Sequence, residues 1–69
     1  MATDLKRSLT IAGHRTSLSL EAEFWRALGQ AATARRVTIA KLVAEIDQSR
    51  GGRNLSSAIR VWLLLNHGS

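Results

Sequence analysis

The sequence predicts a mainly α-helical domain: one or two short N-terminal strands, then three helices, in a chain that completes its core by pairing with a second copy. Three observations predict it. Polar and apolar residues alternate up to Leu20 and afterwards recur at helical spacing, in three stretches parted by turn residues. The chain is 69 residues and 7.5 kDa, and a domain of that size buries only about 60% of the surface its unfolded chain exposes, so a lone copy is marginal. Cysteine is absent, which excludes disulfides and thiolate metal sites, and His14 and His67 are too few for an all-histidine zinc site. Oligomerisation is the remedy left.

The elements follow in order. Residues 1–7 are polar and carry no period, which predicts a flexible basic arm ahead of a domain spanning residues 8–66. Ser8, Leu9, Thr10 and Ile11 alternate, and so do Ser17, Leu18, Ser19 and Leu20, with Ala12-Gly13-His14-Arg15 between them. Period two predicts strand on both sides of a turn or bulge at Gly13. A first helix begins at about Glu21, with Glu21 and Glu23 at the positive end of its dipole and Arg35 and Arg36 at the negative end. Its stripe is Phe24, Leu28 and Ala31, widened by Trp25 and Ala32. Thr38 caps a second helix whose stripe is Ile39, Leu42, Val43 and Ile46. Arg50-Gly51-Gly52-Arg53 ends it, because glycine accepts positive φ. Asn54 caps an additional C-terminal helix, residues 54–66, in which Leu55, Ile59, Trp62 and Leu63 share a face. Val61, Leu64 and Leu65 lie partly off that face, and so much apolar circumference predicts burial on two sides. Asn66-His67-Gly68-Ser69 is expected to fray. The predicted dimer core is Leu18, Leu20, Phe24, Leu28, Leu42, Ile46, Ile59 and Trp62.

Charge and composition narrow the function. Ten Lys and Arg against five Asp and Glu give +5 and a pI near 11.5. Such an excess on a short chain favours a polyanion, nucleic acid before anionic membrane. The longest nearly unbroken apolar run, residues 58–65, is far short of the ~18 residues a membrane span needs. The first residues lead into no hydrophobic signal region, so a cytoplasmic location is expected. The carboxylates fall on predicted helical surfaces, and no nucleophile, base and orienter group together, so neither an enzyme nor a cofactor is expected.

The strand Arg15-Thr16-Ser17-Leu18-Ser19-Leu20 runs straight into the helix Glu21-Ala22-Glu23-Phe24-Trp25-Arg26-Ala27-Leu28, and Thr38 opens the next helix after a short turn. This order and spacing resemble the ribbon-helix-helix (Arc/MetJ-like) family of DNA-binding proteins. The stretch from Lys6 to Leu65, with its extra C-terminal helix, looks like a small bacterial subfamily of that fold. The resemblance implies an intertwined homodimer in which one strand from each subunit forms an antiparallel ribbon that enters the DNA major groove. Leu18 and Leu20 then face the helices, while Arg15, Ser17 and Ser19 face away and read base edges. Arg15 is the strongest reader, because a guanidinium bonds guanine O6 and N7 bidentately. The serines are equally ordinary on the polar face of any strand. The resemblance also implies a phosphate anchor at the second helix's N-terminus, where the N–H groups of Thr38, Ile39 and Ala40 carry partial positive charge and Lys41 adds a full one. Lys6 and Arg7 are expected to follow the DNA backbone. The remaining arginines, Arg35, Arg36, Arg50, Arg53 and Arg60, are expected at solvated helix ends and surfaces. Trp25 and Trp62 offer base stacking but sit at core spacing beside Leu28 and Leu63.

Residues 7–11 leave two readings open. As a mobile arm they leave the ribbon bare. As a hairpin strand, with residues 12–15 as its loop, they put Leu9 opposite Leu18 and widen a dimeric ribbon to four strands, which the groove does not admit. Two functions of different class follow. The first is a sequence-specific homodimeric DNA-binding protein, a transcriptional repressor occupying its operator as a dimer or as two dimers. The second is an interaction module, an antitoxin or adaptor, whose C-terminal helix binds a partner protein.

Overall fold

The computed structural model describes residues 4–66. Two antiparallel strands, β1 (Asp4–Ile11) and β2 (His14–Glu21), precede three helices: α1 (Ala22–Arg35), α2 (Ile39–Gln48) and α3 (Leu55–Leu65). The helices pack on one face of the two-stranded sheet, α2 mainly against β1, and α1 and α3 against β2.

The turn is tighter than expected. Ala12 at φ 51° and Gly13 at φ 82° connect the strands by themselves. Two positive φ values in a two-residue loop make a type I′ turn, whose twist matches that of the strands it joins. Leu9 therefore lies opposite Thr16, and Arg7 lies opposite Leu18. The sequence-based pairing of Leu9 with Leu18 is corrected by two residues, a shift that leaves every side chain on its expected face.

β1 also begins earlier than expected. Residues 4–7, read from sequence as part of an arm, are strand, with Lys6 opposite Ser19. The cause is Trp25 on α1, whose Nε1–H donates to the Leu5 carbonyl at 2.8 Å. The Arg7 guanidinium stacks 4.8 Å from the centre of the same ring. Leu5 and Leu20 meet as a cross-strand pair on the core side. Residues 1–3, the rest of the expected arm, and 67–69 of the expected frayed end lie outside the described residues; Asn66 is the C-cap of α3.

α1 starts at Ala22, one residue after Glu21, which takes the N-cap position without capping through its side chain. At the other end Arg36 is left-handed (φ 60°), and Val37 N–H reaches back to the Ala32 carbonyl at 3.0 Å. That closure tucks Val37 against the core and turns the chain into α2. Thr38 and Asn54 cap α2 and α3, their side chains accepting from Lys41 N–H at 3.1 Å and Ser57 N–H at 2.8 Å. Gly51, at φ 63°, supplies the turn between these helices.

The core closes within one chain. Leu18, Leu20, Leu28, Leu42, Ile46 and Ile59 are buried together with Ile11, Trp25, Ala32, Val43, Ala58 and Leu63. Phe24 and Trp62, expected in a dimer core, are half-buried in the single chain, where the buried stripe of α1 runs through Trp25, Leu28 and Ala32 and that of α3 through Ala58, Ile59 and Leu63. Leu20, Leu28, Leu42, Val43 and Ile59 are almost wholly covered, each gaining about 1.5–3 kcal/mol from burial. No polar or charged residue is buried among the described residues.

One ion pair ties the end of the hairpin to α3. Arg60 Nε and Nη2 both lie 2.9 Å from Glu21 Oε1. The backbone N–H of Glu21 and then Arg60 hold this carboxyl below its ordinary value of 4.5. A depressed folded-state pKa stabilises above the unfolded value, and that stability fades as pH falls through the folded one.

Three outcomes are expected. Leu18→Asp puts an unpaired charge into the core at a cost of several kcal/mol and abolishes cooperative unfolding by circular dichroism; a folded variant would mean the strand faces are inverted. Trp25→Phe loses the bond to Leu5, about 1 kcal/mol, and speeds amide exchange in residues 4–7. In melts at pH 6, Glu21→Gln is less stable than wild type, and the gap closes well below pH 4.5; a gap that persists there would show that the charge on Glu21 contributes nothing.

Candidate nucleic-acid interface

In an antiparallel pair, residues directly opposite share a face. The register places Leu5, Arg7, Leu9 and Ile11 with Leu20, Leu18, Thr16 and His14 on the helix side. The other side carries Asp4, Lys6, Ser8 and Thr10 from β1, with Glu21, Ser19, Ser17 and Arg15 from β2. All of these are exposed except Ser19 and Glu21, which are half-exposed. The outer face is thus a polar ribbon, with Arg15 beside Thr10, Ser17 beside Ser8 and Ser19 beside Lys6. Among the described residues, neither Lys6 nor Arg15 makes a salt bridge.

The sequence pattern identified Arg15, Ser17 and Ser19 as outward, and they are. It left open whether Ser8 and Thr10 or Ser17 and Ser19 would face DNA; the register puts all four on the outer side of the sheet. Lys6, expected in an arm, belongs to the same face. Arg7 belongs to the opposite face, over Trp25, because the period of two separates neighbours. The signal that would have united the strands is the even number of residues in the turn, which keeps paired positions in phase.

The turn type also decides where the backbone groups point. Residues flanking a two-residue turn exchange both hydrogen bonds. Alternation from the pair of Ile11 and His14 leaves the N–H and C=O groups of Arg15, Ser17 and Ser19 on the free edge of β2, and those of Thr10, Ser8 and Lys6 on the free edge of β1. The Ser19 carbonyl is already taken, by Ser56 Oγ in the first turn of α3 at 3.0 Å.

At the start of α2, Thr38 and Lys41 are exposed, while Ile39 and Ala40 are half-buried. Thr38 Oγ1 takes the Lys41 amide, and the geometry of a helix start leaves the Ile39 and Ala40 amides without an intrahelical acceptor. No carboxylate sits in this first turn to compete for them. Several other cations are engaged within the fold. Arg50 pairs with Asp47, Arg60 pairs with Glu21, and Arg35 lies 5.0 Å from the centre of the Trp62 ring. Trp25 is buried, so its faces are closed to nucleobases.

A second surface lies between α1 and α3. Phe24, Ala27, Arg60, Val61, Leu63 and Leu64 line an apolar groove of about 450 Å³. Leu64 and Leu65, 75% and 76% exposed, extend the apolar side of α3. Among the described residues no group of acidic and histidine side chains is arranged to hold a metal, and no helix is long and apolar enough to cross a membrane.

Comparison with curated proteins and with solved structures finds no match. A family model described as a ribbon-helix-helix domain matches residues 5–67, nearly the whole chain. The match spans both strands and all three helices, and the chain belongs to the ribbon-helix-helix domain family.

Proposed function

We propose that the chain is a sequence-specific DNA-binding regulator, a repressor acting as a homodimer, that reads the major groove with the outer face of its β-ribbon. The fold supports DNA binding and dimerisation in general. The observation that carries the specific reading is the outer face itself: exposed, lined by hydroxyls, with the unpaired Arg15 guanidinium on a chain of charge +5. A two-stranded ribbon is what a B-DNA major groove, about 12 Å wide, accommodates. Arg15 bonds a guanine edge, Ser17 and Ser19 contact neighbouring edges, and Lys6 adds positive charge toward the backbone. The start of α2, through Thr38, Ile39, Ala40 and Lys41, holds a phosphate and fixes the approach.

A second reading is favoured by the apolar groove between α1 and α3 and by exposed Leu64 and Leu65. It is an antitoxin or adaptor whose C-terminal helix binds a partner protein, with DNA secondary.

A titration against genomic fragments at two salt concentrations, with solution mass measured in parallel, separates the two. A regulator selects particular fragments, and its log K falls with log salt by about 0.9 per phosphate contacted. A dimer that binds no DNA sinks the first reading and favours the second. Arg15→Ala is expected to keep the wild-type mass and melting temperature while losing about 1–3 kcal/mol on the selected site. If its affinity and base preference match wild type, Arg15 is not a reader.

A further inference from the structure

We propose that α3 is a dimerisation helix: a second copy of this chain covers the apolar groove between α1 and α3, and its own Leu64 and Leu65 seat against Phe24, Ala27 and Val61. The proposal rests on the homodimer of the first reading and gives that dimer the groove on which the second reading draws.

The place of α3 in the fold is the first support. Arg15, Ser17 and Ser19 turn their backbone groups to the free edge of β2. α1 and α3 pack over β2, whereas α2 packs mainly over β1. Ser56, in the first turn of α3, reaches the Ser19 carbonyl on that free edge at 3.0 Å. One hydroxyl leaves the rest of the edge open to another strand. A second copy that pairs there comes up against α3 as well.

The shape and chemistry of the face are self-complementary. α3 buries Ala58, Ile59 and Leu63 in its own chain, which leaves Val61, Leu64 and Leu65 for a second side. Phe24, Ala27 and Val61 are half-buried in a hollow, and Leu64 and Leu65 protrude beside it. In a two-fold interface residue i of each copy meets residue j of the other, so one patch must carry both the hollow and the part that fills it. A stable interface takes about 800 Å² from each partner, more than a groove of this kind supplies, so the contact runs on to the edge of β2.

Charge selects the occupant. Two copies of a chain of charge +5 repel each other over most of their surfaces. Among the described residues that line the groove only Arg60 is charged, and Glu21 neutralises it through two contacts of 2.9 Å. A like-charged copy therefore approaches here without meeting an unpaired cation. An acidic partner protein finds no unpaired cation in the groove to bind.

The test is solution mass by sedimentation equilibrium over a range of concentrations, on the full chain without DNA. Leu64→Ser/Leu65→Ser changes two exposed side chains. It is expected to keep wild-type helix content by circular dichroism and to weaken the dimer about a hundredfold. Cross-linking gives a second answer, and decides alone should that variant not fold. Ala27→Cys and Leu64→Cys are made separately, in a chain with no cysteine of its own, then mixed and oxidised. They are expected to form a disulfide dimer of mixed composition, whereas Gln48→Cys, exposed at the end of α2, is expected not to join Leu64→Cys. If the serine variant dimerises as tightly as wild type, or the Ala27 and Leu64 variants join no better than the Gln48 control, the copies meet elsewhere. The proposal then falls while the homodimer stands. A wild-type chain that is monomeric at every concentration overturns both.

Discussion

The register between β1 and β2 is the constraint from which the rest of the molecule follows. The turn at Ala12-Gly13 sets it, and alternation then assigns every strand residue to one of two environments. Leu18 and Leu20 enter the core, and the hydroxyls beside them go to solvent. A slip by one residue would bury Ser17 and Ser19 and expose both leucines, so the hydrophobic effect guards the register as firmly as the turn does.

A chain this small has little core to spare. It compensates by tying its hairpin down at several points. The Trp25 indole holds the start of β1, Ser56 holds the edge of β2, and Arg60 holds Glu21 where the sheet becomes helix. These contacts join positions 20, 37 and 39 residues apart, so each constrains where a whole helix sits. Their individual contributions are modest, about 1 kcal/mol for an ordinary hydrogen bond. Collectively they fix the orientation of the outer face relative to the helices.

Much of the fold was legible in the sequence because it is written in periodicities and caps. The alternation around Leu9 and Leu18, the stripe of Leu42, Val43 and Ile46, and the caps Thr38 and Asn54 are local signals, and the elements sit where those signals put them. Long-range contacts left no such trace. Residues 4–7 have a weak pattern of their own and become strand because Trp25, from another element, takes the Leu5 carbonyl. Phe24 lies at core spacing yet stays half-buried on the groove beside α3, while Trp25, Leu28 and Ala32 form the inner stripe of α1. On the candidate site, Arg15, Ser17 and Ser19 were legible as outward. Their companionship with Lys6, Ser8 and Thr10 depends on the register, which no single strand states.

Because every second strand residue points away from the core, substitutions on the outer face leave the packed interior untouched. Ser8, Thr10 and Ser17 are exposed, and as small side chains they are replaceable by asparagine, glutamine, lysine or arginine without disturbing the helices. Under the proposed reading, recognition and stability are carried by separate sets of positions on the same strands. Such a scaffold drifts easily: a lineage, or a combinatorial library randomised at these few positions, samples new surface chemistries while the fold is held constant.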